Sequence, residues 1–464
     1  MTRPEETPME SNLVKARSSL VFIVALLTAF GAVWFIEKQS GAAPQSLAAP
    51  AQPAATGLQP HAVHQAQEPL QLEMSADIAA SPVPRTLTKQ EAQWARIAWR
   101  YFQNNTDSKT GLVHSVDGYP AATMWDTASS LMALLSARQI ELITQKELDA
   151  SLGKALASLA RMPLFDQALP NKSYNTATLA MVDYQNQPSE AGIGWSAIDV
   201  GRLLVPLNII AWNHPQHAKA VRQVIARWDT ARLTRNGQLF GAHVEQDKAA
   251  LVQEGRLGYE QYAAKTFALM GLDAAQALDY RSNLKQVEID GIQVPYDRRD
   301  AASFGAHNYV LSEPYVLDGL EFGGDRFSRE LAWRIYRAQE QRFKRTGVLT
   351  AVSEDHVDKP PYFVYNTVFT NGKPWNTLTE KGEDASALRS LSVKAAFGWH
   401  ALYRTEYTGQ LMAAVAALHD PTKGWYAGLY EEGGKPNTSL NANTNAVVLE
   451  SLAYIAHGKL LSYR

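Results

Sequence analysis

From Thr88 onwards two kinds of helical segment alternate along the chain. The first is amphipathic. In 144–161, for example, Leu148, Leu152, Leu156 and Leu159 share one face and polar residues cover the other. Segments of this kind are 88–103, 144–161, 215–228, 272–280, 327–343 and 407–418. The second kind is apolar or small nearly all round, as a helix buried on every side must be. These are 124–138, 194–210, 257–271, 312–322, 384–402 and 443–456. Thr88/Glu91 and Thr144/Glu147 have the spacing of a capping box, which marks two of the starts. Six wet-faced helices alternating with six buried ones predict a mainly α fold, an (α/α)6 toroid with the buried set inside. The pattern is weakest at 272–280 and 312–322. A short glycine-marked strand signal recurs as TGLVHSV from Thr110, NGQLFGA from Asn236, TGVLTAV from Thr346 and KGWYAGL from Lys423. It predicts short β-hairpins between the helical hairpins.

The N-terminal part follows different rules. Leu20 to Ile36 is an uncharged apolar run, and with Ser18 and Ser19 it approaches the length that spans a bilayer. Arg3, Lys15 and Arg17 precede it, while Lys38 alone follows. The positive-inside rule therefore puts the N-terminus in the cytoplasm and the bulk of the chain outside. From Gly41 to about Pro84 the chain is Ala, Pro, Gln and Ser, too poor in large apolar residues to offset its ordering entropy. The expected organisation is a cytoplasmic N-terminus (1–17), a transmembrane signal-anchor (18–36), a disordered stalk (37–85) and one toroid domain (86–464). A cleavable signal peptide is the rival reading, since Ser40-Gly41-Ala42 loosely fits a cleavage site. Either way the domain is exported. The anchored version places it in the periplasm as a single-pass inner-membrane protein.

Composition removes several function classes. There is no cysteine, so thiolate metal sites, disulfides and a cysteine nucleophile are excluded. Net charge is −2 with no basic block, which argues against nucleic acid as a partner. HExxH, a phosphate-binding glycine loop and GxSxG are all missing, so no metal or cofactor is expected.

In a toroid the inner helices all start on one rim, so polar residues at those starts converge. They include Asp126, Glu190, Asp199, Glu254, Glu260, Glu313, Asp318, Glu380, Glu383, Asp384, Asn441, Asn443 and Asn445. The long connection before the fifth buried helix adds Glu354, Asp355 and Asp358. Aromatics share the rim: Trp125, Tyr174, Trp195, Tyr259, Tyr315, Tyr365, Trp375 and Trp425. Carboxylates among stacking rings suit sugar, because hydrolysis of a glycosidic bond needs one protonated and one ionised carboxyl. The expected acid is Glu254 or Glu260, and the expected base or nucleophile is Glu383, Asp384 or Asp126. Trp125, Trp195, Arg256, Tyr259, Tyr315, Trp375 and Asn443 are the candidate substrate contacts. Each acid at a helix start has a plainer reading as a cap, and each aromatic as core. His307-Asn308-Tyr309 leaves a polysaccharide lyase open.

Several long motifs resemble a known family. They are GYPAATMWDTASSLMALLSA, GWSAIDVGRLLVPLNII, QEGRLGYEQYAAKTFALMGLD, VPYDRRDAASFGAHNYVLSEPYVLDGLEFG, LTAVSEDHVDKPPYFVYNTVFTNGKPWN and EKGEDASALRSLSVKAAFGWHALYRT. Together they make 90–460 similar to the bacterial "domain of unknown function 3131" family. That family is similar in fold to six-hairpin (α/α)6 glycosidases such as glucoamylase-like and β-1,2-glucanase-like domains. The resemblance implies a carbohydrate-active role and supplies no catalytic residues. The expectation is a glycoside hydrolase or transglycosylase acting on an envelope or exopolysaccharide glucan. A non-catalytic glycan-binding or scaffold subunit beside a polysaccharide synthase or export complex is the other class.

Overall fold

The computed structural model describes residues 72–245 and 248–462. The expected signal-anchor and the stalk as far as residue 71 lie outside the described residues. Among the described residues no helix is long and apolar enough to cross a membrane.

Apart from the exposed turn Ala301–Phe304, the helices follow the predicted alternation. Those with one exposed face are α1 (Lys89–Asn105), α3 (Gln145–Leu159), α5 (Pro215–Ile225), α7 (Ala275–Leu278), α9 (Arg326–Thr346) and α11 (Glu406–Val415). The buried set is α2 (Met124–Gln139), α4 (Ala197–Asn213), α6 (Tyr259–Leu269), α8 (Glu313–Leu317), α10 (Val393–Tyr403) and α12 (Ala442–His457). Both capping boxes form, at Thr88/Glu91 and Thr144/Glu147. The buried helices pack in ring order, α2 on α4, α4 on α6, α6 on α8, α8 on α10 and α10 on α12. α12 then packs back onto α2 and closes the ring. Small residues permit the close approaches. A Cβ on Gly201 of α4 would lie 2.6 Å from Ala263 of α6, and one on Gly398 of α10 would lie 2.2 Å from Val316 of α8.

The structure departs from the expected boundaries in four places. α7 is a single turn, because the hairpin Leu284–Ile289/Ile292–Asp297 follows it and packs on α9 in its stead. α8 loosens after Leu317 into a wider π turn, Asp318–Phe322, ended by Gly323 at φ 82°. α10 starts at Val393 rather than near 384. Ser390–Ser392 instead pairs with Gly424–Tyr430 as a strand, which its alternating Ser-Leu-Ser suits. Finally, residues 72–85, expected to be stalk, are packed on the domain together with Thr86 and Leu87. Leu72, Ile78, Ala79 and Leu87 lie against the core, and Ser75 donates its N–H (2.8 Å) and hydroxyl (2.7 Å) to Glu330.

Of the four strand signals, those at Asn236 and Lys423 become the strands Gln238–Glu245 and Gly424–Tyr430. The signals at Thr110 and Thr346 become irregular chain. The second leads into a three-stranded sheet of Glu354–His356, Phe363–Asn366 and Thr377–Leu378. That sheet carries Glu354 and Asp355 to the rim where the inner helices begin.

Candidate functional site

The inner-helix starts meet at Glu313, in the first turn of α8. Its Oε1 accepts from Trp125 Nε1 of α2 (3.1 Å) and from Asn443 Nδ2 of α12 (2.7 Å). Its Oε2 pairs with the Lys394 ammonium of α10. Glu354 shares a hydrogen bond with Glu313 and accepts another from the Tyr259 hydroxyl of α6. The Trp125 and Tyr259 rings meet edge to face at 5.4 Å, and the Arg202 guanidinium of α4 lies 5.0 Å from the Trp125 ring. All six inner helices thus contribute to one axial cluster.

Its charges are unequal. Burial alone would raise Glu313, but the Lys394 ammonium and its hydrogen bonds hold it below the usual carboxylate range. Burial and the Glu313 charge push Glu354 well above that range. Burial also lifts Asp355, whose Oδ1 accepts from Ser392 Oγ at 3.1 Å, to about 8. Glu313, Glu354 and Asp355 are almost fully buried, so this cluster forms the floor of the site. Trp125 and Tyr259 are half-buried above it.

A second group of acids stands on the α2–α4 side. Asp126 and Asp199 each follow a hydroxyl N-cap by three residues, Thr123 and Ser196. Asp126 Oδ2 accepts from Ser115 Oγ (2.6 Å) and Thr123 Oγ1 (2.7 Å). Ser196 Oγ lies 3.2 Å from Asp199 Oδ1 and 2.7 Å from Glu254 Oε1, so it links those two carboxyls. Glu254 also accepts from the Ala197 amide and is raised by burial. Asp199 is half-buried. Desolvation first, then the charges of Glu254 and Asp126, raise it to about 7 against the pull of Ser196 and Lys172. A carboxyl that keeps its proton near neutral pH thus sits among ionisable neighbours at the rim.

The predicted site residues therefore separate. Trp125, Tyr259 and Asn443 meet around Glu313, Ser196 joins Glu254 to Asp199, and Asp126 acts on Asp199 through its charge from the neighbouring helix. Glu260 and Arg256 belong to a different network. Glu260 pairs with Arg299, which also holds Asp297, while Arg256 donates to Gln253 Oε1 (2.9 Å) and the Arg299 carbonyl (3.1 Å). Trp195 and Tyr315 are buried in the core, and Trp195 Nε1 donates to the Phe240 carbonyl at 3.1 Å. Trp375 lies by the Arg342 guanidinium, 5.0 Å from ring centre. Glu383 and Asp384 are exposed in the turn closed by the Thr379 amide on the Glu383 carbonyl (2.9 Å), eight or more residues ahead of α10. His307 lies 2.8 Å from Asn371 Nδ2 and stacks on Tyr309, which stacks on Tyr365 at 4.0 Å. Among the described residues no group of three His, Asp or Glu side chains is placed to hold a metal ion.

Asp199, Glu313, Glu354 and Asp355 stood on the sequence-derived rim without being singled out, and Lys394 was not on it. The signal for Lys394 was available: a lone cation in the otherwise apolar SVKAAFGWHAL must find a buried partner.

The family model described as "Protein of unknown function (DUF3131)" matches residues 93–458. The chain belongs to the DUF3131 family. No curated protein matches it in sequence. Solved structures of similar fold include a putative glucoamylase from Bacteroides caccae, with 12% identity, TM-score 0.56, and coverage of 80% of this chain and 93% of that one. An endo-β-1,2-glucanase from Chitinophaga pinensis, in complex with sophorotriose and glucose, gives 12%, 0.56, 80% and 94%. An endo-β-1,2-glucanase from Talaromyces funiculosus, in complex with sophorose, gives 11%, 0.56, 80% and 84%. At these identities the likeness is one of fold. This DUF3131 chain is mainly helical with glycosidase-like neighbours.

Proposed function

We propose that this DUF3131 protein is a glycoside hydrolase, or a transglycosylase using the same chemistry, acting on a glucan of the cell envelope or an exopolysaccharide. The observation that carries the reading is Asp199. It is raised to about 7, half-buried, joined to Glu254 through Ser196 and within the influence of the Asp126 charge at the inner-helix rim. A general acid for glycosidic cleavage must be protonated at working pH and able to reach the leaving oxygen. In this reading Asp199 donates that proton, Glu254 keeps its pKa high, and Asp126 on the neighbouring helix is the base or nucleophile. Trp125 and Tyr259 supply apolar surface for the sugar. The glucan as substrate class is supported by the fold neighbours, which include glucanases. The run Leu20–Ile36 would tether the domain to the inner membrane, on its periplasmic side, near a synthase or export complex.

The test is a product screen of the full-length protein on α- and β-glucans, β-1,2-linked ones included. Asp199→Asn is expected to lower turnover by about 10²–10⁴-fold. Retardation by a glucan that is never cleaved would replace this reading with a binding or scaffold role. Unsaturated products absorbing near the ultraviolet lyase band would replace it with elimination.

A further inference from the structure

The hairpin that carries Glu354 to the rim has two unlike faces. Its strands pair Glu354 with Tyr365 and His356 with Phe363, and strand alternation puts these side chains on one face. Asp355 and Val364 take the other. Val364 is buried there in a small cluster with Val357, Ala385, Leu388 and Tyr430. Phe363 and Tyr365 are only half-buried, and among the described residues they join neither that cluster nor the main core.

Instead, a chain of rings is built on their face. The Tyr365 ring lies parallel to that of Tyr309, 4.0 Å away with 6° between the planes, and Tyr309 stacks in turn on His307 at 5.3 Å. Phe363 meets Tyr365 edge to face at 5.3 Å. The outer end is locked. His307 Nδ1 lies 2.8 Å from Asn371 Nδ2, and Gly382 comes so close that a Cβ on it would lie 2.7 Å from the imidazole. At the inner end Glu354, opposite Tyr365, accepts from the Tyr259 hydroxyl, and Tyr259 meets Trp125 at 5.4 Å. The aromatic surface at the axis is thus continued by a second, rigid one on the hairpin.

The hydroxyls of Tyr309 and Tyr365 show what this surface lacks. Among the described residues neither has a hydrogen-bond partner. A half-buried hydroxyl in that state is one that solvent or a ligand must satisfy. Rings outside the core, held in place and carrying free phenol groups, match a pyranose unit. Its C–H groups pack on the aromatic wall and its hydroxyls exchange hydrogen bonds with the phenols.

Resting on the hydrolase reading above, we infer that Tyr309 and Tyr365 form the wall of a remote sugar subsite, which binds a unit of the glucan chain beyond the one held at Trp125 and Tyr259. Affinity then grows with the length of the substrate, because only a chain long enough to reach the hairpin gains these contacts.

The experiment compares full-length wild type, Asp199→Asn, Tyr365→Ala and the double variant Tyr309→Phe with Tyr365→Phe. The substrates are long linear β-1,2-glucan and the shortest oligosaccharide of that linkage that is cleaved. The double variant keeps both rings and removes only the hydroxyls, so it is expected to melt with wild type. Its KM for the long chain is expected to rise about fivefold to tenfold, with kcat within about twofold and the short substrate turned over as before. Tyr365→Ala, which also removes a ring, is expected to lose more on the long chain. Native gels containing the polysaccharide should show retardation weakening in the same order. Equal loss on short and long substrates, or no loss on the long chain in either variant, overturns the inference. If Asp199→Asn is inactive while both tyrosine variants behave as wild type, the subsite alone fails. If the glucan retards the wild type without being cleaved, and does not retard the double variant, the hydrolase reading fails and the subsite stands as a binding site. If the wild type neither cleaves nor is retarded by any glucan tested, both fall.

Discussion

The ammonium of Lys394 and the carboxylate of Glu313 pair at the centre of the helix ring, each from the first turn of a different inner helix and each at most 5% exposed in its side chain. Trp125, Asn443 and, through Glu354, Tyr259 are all tied to that pair. Removing the cation alone leaves a buried carboxylate with its two hydrogen-bond donors but no counter-charge. Lys394→Met is therefore expected to cost about 3–5 kcal/mol in denaturant unfolding. The double change Lys394→Met with Glu313→Gln should lose less than the single one. Equal stability of Lys394→Met and wild type would show that the pair does not hold the ring together.

The pH dependence follows from Asp199. An acid works only while protonated, so kcat/KM should fall as pH rises through about 7. The Glu254 charge is the second-largest reason for that raised value, after desolvation. Glu254→Gln removes it, makes the Asp199 proton easier to lose, and should move the falling limb to lower pH. A limb that stays put, or moves up, would remove Asp199 from the role of acid.

Asp355 gives a stability test of the opposite kind. Its folded-state value, about 8, lies far above the ordinary carboxylate value, chiefly through burial. The unfolded chain releases that proton at much lower pH than the folded one does. The contribution of Asp355 to stability is thus complete in acid and is lost as pH rises from about 4 through about 8. Asparagine cannot titrate and still accepts from Ser392. Asp355→Asn should melt with wild type near pH 4 and above it, by on the order of 5 °C, near pH 8.5. Identical melting at both pH values would mean that Asp355 is ionised in the folded protein.

The helix ring could be read from the chain because burial on all sides and burial on one side leave different patterns. The 124–138 and 443–456 segments are apolar all round, and 144–161 is not. The convergence of the inner-helix starts follows from that geometry, and it brings Trp125, Tyr259 and Asn443 to Glu313. The choice among carboxyls is not legible in the same way. Glu260 and Asp199 look alike as acids in the first turn of an inner helix. Only three-dimensional proximity tells that Arg299 neutralises the first while Glu254 crowds the second. The same limit applies to α10. DASALRSLSVKAAF reads as one small-residue helix, yet Ser390–Ser392 is taken by a strand partner 30 or more residues away.

That contrast can be checked directly. Glu260→Gln breaks a buried pair with Arg299 and should lower stability by about 3 kcal/mol, with kcat changed by no more than a few-fold where the protein is folded. Glu383→Gln and Asp384→Asn lie in an exposed turn and should change neither. A loss of kcat in Glu260→Gln comparable to that in Asp199→Asn would transfer the acid role to Glu260.

The strap of residues 72–87 makes the last prediction. Glu330 of α9 is fully buried, and two of its hydrogen bonds come from the Ser75 amide and hydroxyl. Trp333 Nε1 donates to Asp77 at 3.2 Å, and the Arg85 amide donates to the Ile455 carbonyl at 2.9 Å. The strap thus spans from the outer helix α9 to the end of the inner helix α12. A protein starting at residue 72 keeps every one of these contacts and should melt with the full-length chain. One starting at residue 88 exposes the apolar surface under Leu72, Ile78 and Leu87 and removes the two Ser75 donors from Glu330, leaving it Arg334. Each lost bond to a charged group is worth about 1.5–3 kcal/mol, so its melting temperature should fall clearly. Ser75→Ala, which removes the hydroxyl alone, should show a smaller drop of the same sign. If the two truncations melt together, residues 72–87 add nothing to the stability of the fold.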